Sequence, residues 1–235
     1  MSPTSSVHSI ASASPAGPAW PTSPLRARIR GVYAITAEEP DTGRLVQAVD
    51  AALGAGIRLL QYRQKHASPA LQREQLTALK SLCAQHDALL IVNDDWKMAT
   101  ELGIAAVHLG EDDGNITEAR EALGPDALIG VSCYASIERA RMLAPVADYL
   151  AFGALFASGT KPLARHAPSE IFAQVRALGL GLPLVGIGGI DAGNIGQVMA
   201  AGADAAAVIG SLFGRGNVAQ AARRLLQAIG ETQAG

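Results

Sequence analysis

Cysteine is almost absent. The 235 residues hold only Cys83 and Cys133, at no metal-ligand spacing. Two such residues read as reduced thiols rather than as a disulfide framework or a zinc site. An excess of charge is missing too. Nineteen Lys and Arg face 21 Asp and Glu, a formal net charge of −2. A nucleic-acid or membrane-surface protein would carry a cationic footprint that this chain lacks. No apolar run is long enough to span a bilayer. There is no P-loop spacing, no Ser–His–Asp signature, no zinc ligand set and no lysine that must form a Schiff base. Any anionic ligand must therefore be held by a local cluster of cations.

What is present suits one domain and a tail. Hydrophobic residues make up 49% of the chain and charged residues 17%, enough apolar surface for a sizeable core. Residues 1–25 are rich in Ser, Ala and Pro and read as a disordered extension, with the folded domain at 26–235. The extension lacks the charged start and apolar stretch of a secretory signal, and Arg is absent before Arg26, unlike an organellar transit peptide. A cytoplasmic location is expected.

From Gly31 onward, short apolar runs alternate with segments of helical period. The runs are Val32–Thr36, Ile57–Tyr62, Ala88–Val92, Ala105–Leu109, Leu128–Ser132, Asp148–Phe152, Leu184–Ile187 and Ala205–Ile209. Near-continuous apolarity is the mark of parallel strands buried on both faces. Leu45, Val46, Val49, Ala52 and Leu53 line one face of a helix between two of them. Eight strand–helix units in one chain of this length predict a (β/α)₈ TIM barrel; an open doubly wound sheet is the alternative. The distribution of polar residues separates the two. Almost every run ends in polar or glycine-rich chemistry, and only a barrel gathers all those ends at one face.

Gln61, Arg63 and Lys65 are spaced two apart, so an extended chain places them on one face. Turned into a barrel, they would bind an anion; frayed into a solvated loop, they would only hold water. Asn93-Asp94-Asp95 and His108 to Asp113 end two successive runs, putting carboxylates on neighbouring strand ends. One acid from each suits a magnesium ion, while Asp95 or Asp112 caps a helix. Ser158-Gly159-Thr160-Lys161 reads by itself first as a surface turn. Gly186-Ile187-Gly188-Gly189-Ile190, before the candidate helix cap Asp191, and Ile209-Gly210-Ser211 fall where barrels often bind phosphate. His108 reads as a buried, satisfied strand histidine; Trp96, Cys133 and Tyr134 read as packing.

In this order the motifs resemble the thiamine phosphate synthase family: Gln61-x-Arg63-x-Lys65, Asn93-Asp94-Asp95, His108-Leu109-Gly110-x-Asp112-Asp113, Gly130-Val131-Ser132, Thr160-Lys161-Pro162 and Gly186-Ile187-Gly188-Gly189-Ile190. The resemblance spans about Gly31 to Gly214. It implies a transferase that joins a hydroxymethylpyrimidine diphosphate to a thiazole phosphate, or its carboxylate, releasing pyrophosphate. It implies that Gln61, Arg63, Lys65, Asn93, Ser132 and Lys161 contact the pyrimidine diphosphate. It assigns Asp94 and Asp113 to Mg²⁺, and Ser158, Thr160, Gly188, Gly189, Ile209 and Gly210 to the thiazole phosphate. Arg63, Lys161 and Ser132 are then the groups nearest the chemistry, which needs no enzyme nucleophile. Two positions depart from the family pattern: Glu111 replaces a common Gln, and Gly210 a common Ser.

Two rivals carry different expectations. A thiazole tautomerase on the same barrel would not need Arg63, Asp94 and Asp113. A non-catalytic barrel that senses a phosphometabolite would bind without turnover. The expected partners are small phosphorylated molecules, with no nucleic acid and no membrane; a homo-oligomer is left open.

Overall fold

All eight apolar runs form strands, and each lies within two residues of its expected bounds at its start and end. The structure, a computed structural model, describes residues 22–157, 167–214 and 216–233. The first half alternates β1 (Gly31–Ile35), α1 (Thr42–Gly54), β2 (Leu59–Tyr62), α2 (Pro69–Gln85), β3 (Leu89–Asn93), α3 (Trp96–Glu101), β4 (Ala106–Leu109) and α4 (Ile116–Leu123). The second half continues with β5 (Leu128–Tyr134), α5 (Ile137–Leu143), β6 (Tyr149–Phe152), α6 (Ile171–Arg176), β7 (Leu184–Ile187), α7 (Ile195–Ala200) and β8 (Ala205–Val208). Two helices follow, α8 (Gly210–Phe213) and α9 (Val218–Gln233). Every strand pairs in parallel with its sequence neighbour, and β8 returns to β1 through Gly31↔Ala205 to Ala34↔Val208. The sheet is a closed (β/α)₈ barrel, which rules out the open alternative. β5 runs past its expected end, with a register shift between Ser132 and Tyr134 against β6.

The alternation of strand residues builds two cores. Inward-facing Tyr33, Ile35, Leu59, Ile91, Leu128 and Val185 fill the barrel. Outward-facing residues such as Val32, Leu60, Val107 and Leu150 pack under the helices. The helices start where their capping residues stand. Asp41 Oδ1 accepts from Arg44 N at 2.9 Å before α1, and Ser68, followed by Pro69, opens α2. The expected face of α1 is buried at Leu45, Val49, Ala52 and Leu53, with Val46 at its edge.

The bottom of the barrel holds a buried ion pair. Arg120 donates to Asp148 Oδ2 at 2.6 Å, and both are nearly inaccessible. Asp148 also accepts from Ile129 N at 2.9 Å and Ser23 N at 3.3 Å. This corrects the expected boundary at residue 26. Ser23, placed in the tail from its composition, is 2% exposed and donates from Oγ to Asp126 O at 2.7 Å. It caps a 3-10 helix, Pro24–Arg28, that closes the barrel floor. The rest of the expected tail, residues 1–21, lies outside the described residues.

Removing one member of a buried pair strands the other charge. Asp148→Ala is expected to cost about 3–5 kcal/mol of unfolding free energy. Urea denaturation checks this, and turnover per folded molecule should stay at the wild-type value because the pair lies at the far end from the strand C-termini.

Candidate active site

The polar strand ends meet at the C-terminal mouth of the barrel, around a cavity of about 1740 Å³. That is more than one drug-sized ligand needs, and leaves room for two substrates side by side.

β2 supplies the cations. Gln61 is its last inward-facing residue, and Arg63 and Lys65 carry the same alternation into the loop. Thr36, 1% exposed, clamps the Arg63 backbone: its Oγ1 accepts from Arg63 N at 2.9 Å and donates to Arg63 O at 3.2 Å. Behind the loop, Gln75 Nε2 donates to Glu39 O at 2.8 Å and Gln72 Nε2 to Gln64 O at 2.7 Å, while Gln75 Oε1 accepts from Tyr62 OH at 2.8 Å. The loop is thus held by amides rather than frayed. The Arg63 guanidinium lines the cavity and has no acceptor among the described residues. That favours the anion-binding reading of this run over the solvated one.

β3 and β4 supply the acids. Asp94 leaves β3 with φ +67°, a left-handed turn anchored by Asp94 N donating to His108 O at 2.9 Å. Asp113 folds back toward β4, where its Oδ2 accepts from Gly110 N at 2.7 Å. A Cβ on Gly110 would lie 2.6 Å from that oxygen, so a larger residue there would push the carboxylate aside. The two carboxylates then approach each other. Burial and the neighbouring Asp113 push the Asp94 pKa up to about 6, and Lys65, with Nζ 3.2 Å from Asp94 Oδ2, pulls it down. A partly buried acid pair at odds with itself is a natural place for a divalent cation. Among the described residues no cluster of three such ligands exists, so substrate oxygens or water would have to complete the shell. Asp95 takes the capping role, accepting from Met98 N at 2.9 Å; Asp112 is exposed.

β5 brings Ser132, whose Oγ is 2.9 Å from His108 Nε2. The opposite ring nitrogen of His108 is 2.9 Å from Tyr149 OH, which is 2.9 Å from Tyr33 OH, which accepts from Gln61 Nε2 at 2.8 Å. Burial pushes the His108 pKa down to about 4, so the ring is neutral at ordinary pH. Sequence reading rightly made His108 a satisfied strand histidine, but missed that its partners join two expected site residues. Arg139 was missed as well. Its Nε donates to Ser132 O at 2.8 Å, and its guanidinium faces Tyr134 and Glu111.

β7 and β8 supply backbone. Gly188 and Gly189 have φ +103° and +65°, and a Cβ on Gly188 would lie 2.6 Å from Ala154 Cα. The N–H groups of Gly188, Gly189 and Gly210 make no backbone hydrogen bond among the described residues. Asp191 does not cap α7 as expected; Asn194 holds that position, and Asp191 instead accepts from Gly193 N at 2.8 Å. Every expected site residue in the described part lines the cavity. Ser158, Thr160 and Lys161 lie outside the described residues.

Comparison with known proteins shows the family. Residues 32–212 match the family model described as thiamine monophosphate synthase. The chain belongs to the thiamine monophosphate synthase family. It is 51% identical over 199 residues to the thiamine-phosphate synthase of Chromobacterium violaceum, covering 84% of this chain and 95% of that one. It is 48% identical over 200 residues to the enzyme of the same name from Methylobacillus flagellatus, covering 85% and 95%. A solved thiamine phosphate pyrophosphorylase from Pyrococcus furiosus superposes with a TM-score of 0.78 at 31% identity, covering 88% of this chain and 98% of that one. Across this family member's described residues, no helix is long and apolar enough to cross a membrane.

The acid pair makes a prediction. Asp113→Asn removes one of the influences holding the Asp94 pKa near 6. The Asp94 value should fall part of the way to the ordinary carboxylate range, since burial remains. A carboxyl-carbon NMR titration reads the change; an unmoved Asp94 would mean the two side chains do not meet.

Proposed function

We propose that the chain is a thiamine-phosphate synthase, a transferase that joins 4-amino-2-methyl-5-hydroxymethylpyrimidine diphosphate to thiazole phosphate, or its carboxylate, and releases pyrophosphate. The observation that carries this reading is the pairing of an unpartnered guanidinium, Arg63, with the Asp94–Asp113 acid pair in one cavity. An isomerase acting on the thiazole alone has no use for that pairing. The two cysteines are buried free thiols, which supports the cytoplasmic location.

Asp94 and Asp113 would hold Mg²⁺, which when bound neutralises charge on the diphosphate and makes it a better leaving group. Arg63 and Lys65 place positive charge against the same diphosphate, with Gln61 and Asn93 as neutral partners. The family resemblance adds Lys161 to this set, and Ser132 touches the pyrimidine substrate from β5. Departure of the diphosphate leaves a pyrimidine-methyl cation, stabilised by the ring amino group, and the thiazole nitrogen attacks its methylene carbon. No side chain has to form a bond to either substrate. The enclosing barrel keeps water away from the cation, and the two phosphate sites hold the reacting atoms in line. N–H groups of Gly188 and Gly189, with Ile209 and Gly210, receive the thiazole phosphate. The family resemblance adds Ser158 and Thr160 to that role.

Mixing the protein with both substrates and Mg²⁺ should yield thiamine phosphate and pyrophosphate, and EDTA should stop the reaction. Folded protein that makes no product from either form of the thiazole would turn attention to tautomerisation or to binding without turnover. Asp94→Asn should lower kcat by at least about a hundredfold with the fold intact. The pH dependence follows from the raised Asp94 pKa. Protons compete with the metal as pH falls through about 6, so the Mg²⁺ concentration for half-maximal rate should rise below that point and level off above it.

A further inference from the structure

Two of the proposed substrate contacts, Gln61 on β2 and Ser132 on β5, stand on opposite sides of the barrel. A continuous line of hydrogen bonds crosses the upper layer of the barrel interior between them: Gln61 to Tyr33 at 2.8 Å, Tyr33 to Tyr149 at 2.9 Å, Tyr149 to His108 at 2.9 Å, and His108 to Ser132 at 2.9 Å. Tyr33, Gln61, Tyr149 and His108 are each at most 9% exposed, so a donor left unused there is costly.

Donor counting gives the line a direction. The Gln61 amide nitrogen donates to the Tyr33 oxygen. Among the described residues the single Tyr33 proton has one other neighbour, the Tyr149 oxygen, so it is donated there. The Tyr149 proton then goes to His108 Nδ1. A neutral imidazole that accepts at Nδ1 carries its proton on Nε2, which donates to Ser132 Oγ. Ser132 therefore accepts from below and has its own proton left to donate into the cavity. At the other end the Gln61 carbonyl oxygen is left as an acceptor.

The barrel is built around this line. Tyr149 points across the interior because β5 has glycine where the ring passes; a Cβ on Gly130 would fall inside the Tyr149 ring. The Tyr149 ring stacks on His108 with centroids 5.6 Å apart, and meets Tyr33 edge-on at 6.2 Å.

We propose that Tyr33, Tyr149 and His108 are positioning residues that couple the Gln61 amide to the Ser132 hydroxyl and fix Ser132 as a hydrogen-bond donor toward substrate. The proposal rests on the reading that Gln61 and Ser132 contact the pyrimidine diphosphate. A ligand that demands the opposite polarity at either end must reverse every group in the line, so the two walls select their substrate together.

Nitrogen-15 NMR of the His108 imidazole in the free enzyme at neutral pH tests the direction. The Nε2–H tautomer is expected in the wild type, giving way to a mixture in Tyr149→Phe, where Nδ1 has lost its donor. A wild-type ring protonated on Nδ1 overturns the proposal. A double-mutant cycle tests the coupling. Tyr33→Phe should lower kcat/KM for the pyrimidine diphosphate by about tenfold, the size of one hydrogen bond, and leave KM for the thiazole phosphate unchanged. In a Ser132→Ala background the same substitution should cost nothing further. Equal losses in both backgrounds overturn the proposal. Thermal unfolding confirms that the Tyr33→Phe variant is folded, and Tyr149→Phe replaces it in the cycle otherwise. If Ser132→Ala alone leaves turnover untouched, it is the assigned substrate contact that fails, and the tautomer by itself decides the direction.

Discussion

Closure of the sheet between β8 and β1 is the constraint on which the rest depends. Once Gly31 to Ala34 pair with Ala205 to Val208, no strand has a free edge, and every strand must send alternate side chains into one shared interior. That interior is narrow. β8 meets it with Ala205 and Ala207, and β5 with Gly130, which leaves space for the large Tyr33 and Tyr149 rings. The same closure brings the eight strand ends to one mouth. Residues far apart in sequence, such as Gln61, Asp94, Asp113 and Gly188, line one cavity without any single loop having to reach across it.

The barrel interior is more polar than packing alone would select. A glutamine, a histidine and two tyrosine hydroxyls lie near its upper layer, each costly to bury without partners. Their satisfaction is mutual, through hydrogen bonds of 2.8–2.9 Å. The Arg120–Asp148 pair below solves the same problem differently, by matching charges and adding backbone donors. One network holds the floor closed. The other reaches the cavity, where Tyr33, Gln61, His108 and Ser132 form part of the wall.

Much of this was legible in the sequence. The eight apolar runs marked the strands because parallel strands buried on both faces leave no alternative composition. The spacing of Gln61, Arg63 and Lys65 survived translation into three dimensions because Thr36 and the glutamines behind the loop keep it in place. What was not legible depends on the third dimension. Tyr33 and Tyr149 drew no notice in the sequence, since nothing in one strand says which residue faces it across a barrel. Gly130 was the available clue: an isolated glycine inside a strand signals a close approach, here by the Tyr149 ring. Ser23 was misplaced for a related reason. Composition makes residues 1–25 look unable to bury surface, but one serine and a turn of 3-10 helix need only a carboxylate and a carbonyl to dock against.

The two departures from the family pattern look different once placed in space. Glu111 adds a negative charge that the common Gln lacks. It sits at the rim, with its side chain 62% exposed and Oε1 3.6 Å from Arg139 Nη1. Solvent and a guanidinium therefore screen it, and little of its charge reaches Asp94. Arg139 is also the residue that holds the Ser132 carbonyl, so the substitution acts on the lip of the cavity more than on the acid pair. Gly210 is the simpler case. A Cβ there would meet nothing within 4 Å, so no steric demand for glycine exists, and the position would accept the more common serine. What is missing is a hydroxyl, while the N–H of this cavity-lining residue is unchanged. A cradle made of main chain tolerates such a loss, because its donors belong to every residue alike.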